Sequence, residues 1–309
     1  MKPLAITLGD PAGIGAEIVF KALEQLDVPV WLFGSRSLTA PHHNLERAER
    51  FVDVGGPVEP LRFGEVNAAY GRVALDSIDA AIHAMETGDC SALVTAPIHK
   101  AAIAAAGSTF PGHTELLADR AGLAVYGRDY AMYFDSPTLR VVLLTVHVSL
   151  REAIDAITAE GVADLARLSA RELARLHGRS VRIGVAAVNP HAGEGGRFGS
   201  EEKEIARGVA LARADGIDVS GPFPADTLFL GARAGNYDVV MAMYHDQGLI
   251  PVKTLEFERS VNVTLGLPWL RASVDHGTAF DIAGKGIASE IPMRYAIEWT
   301  ARHAGRYGR

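Results

Sequence analysis

Residues 4–25 read LAITLGDPAGIGAEIVFKALEQ, and this stretch predicts a strand, a glycine-rich turn and a helix in direct succession. The apolar run Leu4–Thr7 shows no polar alternation, which is typical of a strand covered on both faces. The turn that follows contains three glycines and a proline before helix-forming residues begin at Ala16. A strand that leads through a tight turn into a helix indicates an α/β protein.

The same alternation continues along the chain. Five further apolar runs, most of them rich in β-branched residues, predict strands at 30–33, 92–95, 139–146, 181–188 and 239–243. Helical stretches are predicted at 16–25, 73–87, 150–177 and 200–214. We therefore expect an α/β fold with a largely parallel sheet.

The size of the chain predicts more than one domain. Its 309 residues are 48% hydrophobic and 22% charged, which provides for a buried core and about two domains. Because no Pro-, Gly- or Ser-rich linker divides the chain, we expect the domains to share it discontinuously, with a cleft between them. Residues 36–70 contain three prolines and support no functional interpretation.

Charge and cysteine content exclude several classes of protein. A net charge of −7 without a basic run is not the pattern of a nucleic-acid-binding protein. The single cysteine, Cys90, excludes an internal disulfide and a zinc–thiolate cluster. The N-terminal apolar run is too short for a signal peptide core or a membrane span. We expect a cytoplasmic protein with neither nucleic acid nor membrane as partner.

Three histidines follow or end predicted core strands, namely His147, His191 and His245. The carboxyl ends of strands line the ligand crevice in open α/β sheets, so three such residues can converge. Neutral imidazoles suit zinc, cobalt or nickel, and three protein ligands leave a coordination position for substrate. Each histidine alone is equally compatible with a hydrogen-bonded core or loop position. Their shared placement favours a metal site, with Asp226 and Asp246 as fourth ligands or neighbours of ligands.

Three further segments predict ligand contacts. The turn at 9–15 lets backbone amides approach an anion, although an ordinary strand-to-helix turn has the same composition. His113 and Thr114 precede an apolar helix start, where they suit a carboxylate or phosphate, or where Thr114 is simply an N-cap. Two cations and an amide that suit a phosphorylated or carboxylated substrate are spaced through strand-like and loop sequence, at Lys253, Asn262 and Arg271.

Together these segments resemble the 4-hydroxythreonine-4-phosphate dehydrogenase family of vitamin B6 biosynthesis. Seven motifs keep their order along the chain: GDPAGIG from Gly9, PIHK from Pro97, GHTE from Gly112, NPHAGEGG from Asn189, PADTLF from Pro224, YHDQG from Tyr244 and NVTLGLP from Asn262. Several long motifs in a fixed order argue against chance agreement.

The resemblance implies two α/β domains of the isocitrate and isopropylmalate dehydrogenase type, with a cleft and without a Rossmann fingerprint. One domain, residues 1–125 plus 268–309, would carry the dinucleotide loop. The other, residues 126–267, would carry the metal-binding histidines and the dimer contacts. The protein would be a homodimer whose site draws residues from both subunits.

The resemblance also assigns roles to residues. The ligands of a divalent metal, whether zinc, magnesium or cobalt, match His147, His191 and His245. The substrate-binding positions match His113, Thr114, Lys253, Asn262 and Arg271. The loop that binds NAD or NADP matches His276, Gly277, Thr278, Asp281 and Gly284. The expected catalytic residues are Lys100 and Asp226.

The implied reaction is oxidation of the 3-hydroxyl of 4-phosphooxy-L-threonine by NAD, with decarboxylation to 3-amino-2-oxopropyl phosphate, in pyridoxal 5'-phosphate biosynthesis. Relatives of this family oxidise 4-phospho-D-threonate or D-erythronate, or dihydrodiol dicarboxylates. The His113–Thr114 pair argues against the dihydrodiol branch, and the run Glu194-Gly195-Gly196 favours the B6 enzyme over the sugar-acid branch. The chain departs from the family pattern at Ala16 and Ser149, and neither is an expected ligand.

Two other classes of function are compatible with parts of the sequence. A metal-dependent hydrolase could activate water with the histidines and Asp226, but it leaves residues 275–286 unexplained and lacks paired carboxylate ligands. A binding protein that kept the site and lost catalysis is disfavoured by the intact histidine triplet and Lys253. The dehydrogenase hypothesis alone demands a response to NAD.

Overall fold

A computed structural model describes residues 2–57 and 60–307 of the chain, which form two compact α/β units. The first unit contains the described residues up to Arg120 and those from Pro268 onward, and the second contains Ala121–Leu267. The predicted first domain also includes residues 1, 58–59 and 308–309, which lie outside the described residues.

The strands and helices of the described chain are numbered in chain order. The strands are β1 (Leu4–Thr7), β2 (Val30–Gly34), β3 (Arg50–Asp53), β4 (Leu93–Thr95), β5 (Ala131–Asp135), β6 (Arg140–Leu143), β7 (Ile183–Ala186), β8 (Val219–Phe223), β9 (Val239–Ala242), β10 (Val261–Leu265) and β11 (Arg271–Ser273). The helices are α1 (Gly15–Leu23), α2 (Arg36–Thr39), α3 (Ala68–Glu86), α4 (Lys100–Ala105), α5 (His113–Arg120), α6 (Leu150–Asp155), α7 (Ala159–His177), α8 (Glu202–Ala214), α9 (Ala225–Arg233), α10 (His245–Glu256) and α11 (Ile291–Tyr307).

The first unit is built on parallel strands in the order β3-β2-β1-β4-β11. Thr7 at the end of β1 is paired with Phe33 on one side and with Thr95 on the other. Because the strands are parallel, their carboxyl ends lie at one edge of the sheet. The turns that follow β1, β4 and β11 therefore emerge side by side.

The second unit has the strand order β10-β5-β6-β9-β7-β8. Strands β6, β9, β7 and β8 are parallel, whereas β5 pairs antiparallel with both β10 and β6. Four residues separate β5 from β6, which is too short for a parallel crossover and long enough for a hairpin. The Ser136 hydroxyl closes this hairpin by donating to the Leu139 carbonyl at 2.7 Å.

One part of the core of the second unit lies between its sheet and helices α9 and α10. Leu249 and Val252 of α10 are buried against apolar residues of β6 and β9. This packing fixes the start of α10, where His245 stands, relative to the ends of those two strands. No helix in the part of the chain that the structure describes is long and apolar enough to cross a membrane.

All six predicted strands are present, as β1, β2, β4, β6, β7 and β9. The single helix predicted over 150–177 is wrong, because two helices, α6 and α7, occupy this range. The side chains of Ser149 and Glu152 form a capping box at the start of α6, and the Thr158 hydroxyl accepts the Gly161 N–H at the start of α7. A second N-cap inside the range therefore starts a separate helix.

Candidate active site

Four predicted site residues follow the ends of four adjacent parallel strands in the second unit. His147 comes after β6, His245 after β9, His191 after β7 and Asp226 after β8. The strands are neighbours in that order, so the four side chains start from one edge of one sheet. Adjacent strands are separated by about 4.8 Å, which sets the spacing between their ends.

Two of the three predicted metal ligands lie close together. The rings of His147 and His245 have centroids 6.0 Å apart, beside a cavity of about 230 Å³ that both residues line. Nδ1 of His245 is 2.7 Å from Oδ1 of Asp246. A carboxylate on Nδ1 favours the tautomer that leaves Nε2 free to bind a metal, as in many histidine metal sites. The pair therefore fits a metal that prefers imidazole ligands.

His191 and Asp226 have exposed side chains at the same sheet edge. Among the described residues, no three His, Cys, Asp or Glu side chains are grouped so that they could hold a metal ion. The structure thus brings His147 and His245 together, and it places His191 and Asp226 further along the edge.

Hydrogen bonds from side chains connect the three strand ends that carry the histidines. The Thr145 hydroxyl donates to the Met243 carbonyl at 2.9 Å, which joins the ends of β6 and β9. The Met243 N–H donates to Oε1 of Gln247, and Nε2 of Gln247 donates to the Ala187 carbonyl, each at 2.7 Å. These bonds join the ends of β9 and β7. Thr145 and Gln247 were not predicted as site residues. The one sequence signal for either of them is that Gln247 belongs to the motif YHDQG around His245.

The segment around His191 has an unusual backbone. Residues 191–196 all have positive φ, and three of them are not glycine: His191 (54°), Ala192 (53°) and Glu194 (43°). A non-glycine residue in this region costs on the order of 1–3 kcal/mol, and such residues are concentrated at functional sites. The surrounding contacts must therefore impose this conformation.

Lys253 and Asn262 also belong to the second unit. The expectation that Lys253 lies in strand-like or loop sequence is wrong, because it lies inside α10 despite Pro251, which ordinarily interrupts a helix. His245, Leu249 and Lys253 are spaced four residues apart, so they share one face of this helix. Asn262 lies in β10 as expected, and its Oδ1 is buried without a hydrogen-bond partner among the described residues.

The remaining predicted substrate residues lie in the first unit. Arg271 in β11 is only 2% exposed, and its Nη2 donates to Oγ1 of Thr95 at 2.6 Å. Burial lowers the pKa of Arg271 to about 9, and the nearby carboxylate of Glu115 acts in the opposite direction. Burial, assisted by the charge of Arg271, holds the pKa of His113 well below its usual range. A neutral imidazole and a buried cation therefore lie near each other, beside the buried Thr114.

The predicted dinucleotide loop packs against the N-terminal turn of the same unit. The Ile14 N–H donates to the Thr278 carbonyl at 3.0 Å. A Cβ atom on Gly13 would lie 2.9 Å from Cβ of Thr278, so only glycine allows this approach. Lys21 of α1 donates to the carbonyl groups of Gly286 and Ala288, each at 2.9 Å. Of the five predicted loop positions, Thr278 is buried and His276 is partly exposed. The other three lie at the surface: Gly277, Asp281 and Gly284.

A cavity of about 210 Å³ adjoins this contact and was not predicted from the sequence. Its lining includes glycines of the turn and of the loop together with His42, His43 and Phe63. The ring of His43 stacks on Phe20 with centroids 4.6 Å apart. An apolar and aromatic lining with a few polar groups is typical of small-molecule sites. The three aromatic residues fall in the segment 36–70, where no motif pointed to them.

Asp10 follows the carboxyl end of β1 and lies near His99, which follows β4 and precedes Lys100, one of the two expected catalytic residues. Asp10 is fully buried, its Oδ1 accepts the Ala12 N–H at 2.9 Å, and its Oδ2 has no hydrogen-bond partner among the described residues. Burial raises the pKa of Asp10 to about 6, against the opposing effects of the Ala12 hydrogen bond and of His99. The ring of His99 stacks on Phe280 with centroids 4.3 Å apart. Lys100 itself is exposed, as the first residue of α4.

We expect the variant Asp10→Asn to remove a pH dependence from the free energy of unfolding. The pKa of Asp10 rises from 3.8 to about 6 on folding, so the folded protein binds the extra proton between these values. Stability is therefore lost as the pH rises through this window, by at most about 3 kcal/mol. Urea denaturation at pH 4 and pH 7 should show this loss in the wild type relative to the variant. An identical pH dependence in both proteins would contradict the assignment.

Comparison with known proteins gives consistent matches over nearly the whole chain. A sequence model of the family described as "Pyridoxal phosphate biosynthetic protein PdxA" matches residues 12–300. The 4-hydroxythreonine-4-phosphate dehydrogenase of Beijerinckia indica subsp. indica is 44% identical over 97% of this chain and 94% of its own length. The D-threonate 4-phosphate dehydrogenase of Salmonella typhimurium is 41% identical over 96% of this chain and 97% of its own.

Solved structures confirm the predicted fold class. The structure of 4-hydroxythreonine-4-phosphate dehydrogenase from Klebsiella pneumoniae matches with a TM-score of 0.89 and 39% identity, over 98% of this chain and 100% of that chain. A β-decarboxylating dehydrogenase from Thermococcus kodakarensis matches with a TM-score of 0.51 and 18% identity, over 100% of this chain and 85% of that chain, which shows a shared fold alone. From the family match and from relatives aligned over nearly their full length, we conclude that the chain belongs to the PdxA family of pyridoxal phosphate biosynthetic proteins.

Proposed function

We propose that this protein is a metal- and NAD-dependent dehydrogenase that oxidises the 3-hydroxyl of 4-phosphooxy-L-threonine. Loss of carbon dioxide from the resulting β-keto acid then gives 3-amino-2-oxopropyl phosphate. Relatives at 44% and 41% identity are named as dehydrogenases of a threonine-type or threonate-type 4-phosphate, which supports the class of reaction. The observation that carries the proposal is the pair of imidazoles, His147 and His245, with ring centroids 6.0 Å apart at the ends of two parallel strands.

The proposed metal ligands are His147, His191 and His245. Imidazole donors favour zinc or cobalt over magnesium, which prefers oxygen ligands. A bound divalent ion would stabilise negative charge on the substrate oxygens. In the protein itself, Asp246 orients the ring of His245, and Thr145 and Gln247 hold the strand ends in register.

The proposed substrate-binding residues have side chains that suit an anionic substrate. In the first unit, Arg271 offers a planar fork of donors to a phosphate or carboxylate, and the neutral His113 and Thr114 add hydrogen bonds. Lys253 and Asn262 of the second unit supply a further cation and an amide. Proton transfer from the substrate hydroxyl is assigned to Lys100 or Asp226, which both have exposed side chains that can meet a substrate.

The proposed cofactor site is the loop with His276, Thr278 and Asp281, together with the adjoining cavity lined by His42 and His43. A nicotinamide cofactor, when bound, accepts the hydride. The protein contributes a rigid support, because the loop is hydrogen-bonded to the turn at Ile14 and to Lys21. Backbone amides and an apolar lining suit the sugar-phosphate and the base of NAD, and NADP remains the alternative.

A homodimer is part of the proposal. Large apolar side chains are exposed in the second unit at Val148, Leu150, Phe198, Leu230 and Ile250, and the first two line the cavity beside His147 and His245. Leu230 and Ile250 are 66% and 63% exposed, which is unusual for residues of this size. Exposed apolar side chains of this size are candidates for an interaction site. A second copy that covers this surface would also bring further donors to the histidines.

A second candidate substrate is 4-phospho-D-threonate. The 41% identical relative from Salmonella typhimurium is named for D-threonate 4-phosphate, which favours this alternative. Compared with 4-phosphooxy-L-threonine, 4-phospho-D-threonate keeps the phosphate and the hydroxyl to be oxidised, and it has a 2-hydroxyl in place of the 2-amine. The groups proposed to bind the phosphate would therefore serve either substrate.

The proposal is tested by the appearance of NADH absorbance when purified enzyme is mixed with NAD, a divalent metal and one substrate at a time. We expect turnover of 4-phosphooxy-L-threonine. Turnover of 4-phospho-D-threonate alone would keep the chemistry and change the substrate. Release of inorganic phosphate without NADH would instead support a metal-dependent hydrolase and contradict the proposal.

A further inference from the structure

The first residue of α8, Glu202, holds the segment that leads from β7 to His191. Its Oε1 accepts the backbone N–H groups of Val188 and Asn189, at 3.2 Å and 2.8 Å. Its Oε2 accepts Nδ2 of Asn189 at 3.0 Å. One carboxylate therefore receives three hydrogen bonds from the two residues that precede Pro190 and His191.

The base of the same loop is closed by the neighbouring Glu201. Its Oε2 accepts Nδ2 of Asn189 at 2.7 Å and the backbone N–H of Ser200 at 2.8 Å. Asn189 at the start of the loop and Ser200 at its end are thereby linked through one carboxylate. The loop between them contains the run of positive φ angles.

The loop also packs directly on the Glu202 carboxylate. A Cβ atom on Gly193 would lie 2.6 Å from Oε2 of Glu202, so the backbone lies as close to this oxygen as glycine permits. Within the loop, the Phe198 N–H donates to the Gly193 carbonyl at 3.1 Å. Glu202 thus contacts both the entrance of the loop and its middle, and it can stabilise a conformation that His191 and Ala192 alone disfavour.

We propose that Glu202 is a positioning residue that holds His191 in the conformation needed to bind a divalent metal. The inference rests on the proposed function, because it takes His191 as a ligand. The His191 side chain is exposed and stands on an irregular loop rather than on a helix or strand. A metal-ligating residue on such a loop loses conformational entropy when the metal binds, unless other contacts already hold the loop in place. Glu202 supplies that restraint without touching the metal.

Cobalt(II) is the probe for this proposal, since its visible absorption reports both binding and coordination. We expect the metal-free wild-type protein to bind Co²⁺, and the variant Glu202→Ala to bind it about 10- to 100-fold more weakly, as is usual when a residue that orients a metal ligand is lost. The variant Glu202→Gln should lie between them, because its amide oxygen still accepts from Val188 and Asn189. The matched control is Glu204→Gln on the same helix, which bonds Ala159 and Arg207 and not the loop.

Hydrogen exchange of the metal-free proteins gives a second readout. Peptides that cover residues 188–199 should exchange faster in Glu202→Ala than in the wild type, with no change in α7. If Glu202→Ala does not fold, the same comparison is made with Glu202→Gln. Unchanged cobalt affinity in Glu202→Ala, or in Glu202→Gln where the alanine variant does not fold, would overturn the inference, whether or not the loop exchanges faster. A wild-type protein that binds no cobalt would instead remove the metal assignment of the proposed function, and this inference with it.

Discussion

Replacing His191 with alanine is expected to lower turnover at saturating NAD and substrate by at least about a thousandfold, because a group that holds the charge-stabilising ion is lost. Metal content of the purified protein should fall in parallel. The free energy of unfolding should change by less than about 0.5 kcal/mol, since the side chain is exposed and alanine meets the same backbone strain at a φ of 54°.

The matched control for His191→Ala is His83→Ala, which removes another exposed histidine from a helix of the first unit. This control should keep wild-type turnover and metal content. A His191→Ala enzyme with full activity would contradict the metal site. A variant with normal metal content and no activity would instead make His191 a residue that acts on the substrate.

Replacing Arg271 with methionine is expected to separate activity from stability. The value of kcat/KM should fall at least about a hundredfold, because the substrate anion loses a buried, hydrogen-bonded cation. The melting temperature should stay the same or rise, since exchanging a buried charge for an apolar side chain of similar length is often neutral or stabilising. Thermal melts and initial-rate kinetics on the same preparation measure both effects.

Arg271→Lys is the companion variant for this test. It keeps the charge and loses the planar fork of donors, so its kcat/KM should lie between those of the wild type and Arg271→Met. A methionine variant with an unchanged kcat/KM would show that Arg271 does not bind the reacting substrate. A methionine variant that loses activity only by unfolding would show that the guanidinium serves the core of the first unit.

The strand ends were predictable because they depend on local patterns. Apolar runs without alternation predicted β6, β7 and β9, and the histidines at 147, 191 and 245 follow those strands in the structure. The order of the strands in the sheet was not predictable, since it depends on packing between distant segments. That order decides that His147 lies beside His245 rather than beside His191.

The contacts that support the site were not predictable for the same reason. Gln247 bonds Ala187, sixty residues away, and Thr145 bonds Met243, ninety-eight residues away. From the sequence, Glu202 is an ordinary acidic residue in the first turn of a helix, where its charge interacts favourably with the helix dipole. Only the folded chain shows that its carboxylate is used by the loop of His191.

The structure of the segment 36–70 was not predictable from local sequence patterns. Its short strand β3 lacks the apolar runs that predicted six of the other strands. The cavity lined by His42 and His43 forms because this segment folds over the turn after β1. No repeat, charge run or known spacing in the sequence signalled that contact.

The proposed reaction is a metal-dependent oxidation coupled to decarboxylation, so its two products can be measured with and without metal. Enzyme stripped of metal with a chelator is mixed with NAD and 4-phosphooxy-L-threonine, and NADH and carbon dioxide are measured before and after addition of zinc or cobalt. We expect neither product before the addition and equimolar NADH and carbon dioxide after it. Equal rates with and without metal, or NADH with no carbon dioxide, would contradict it.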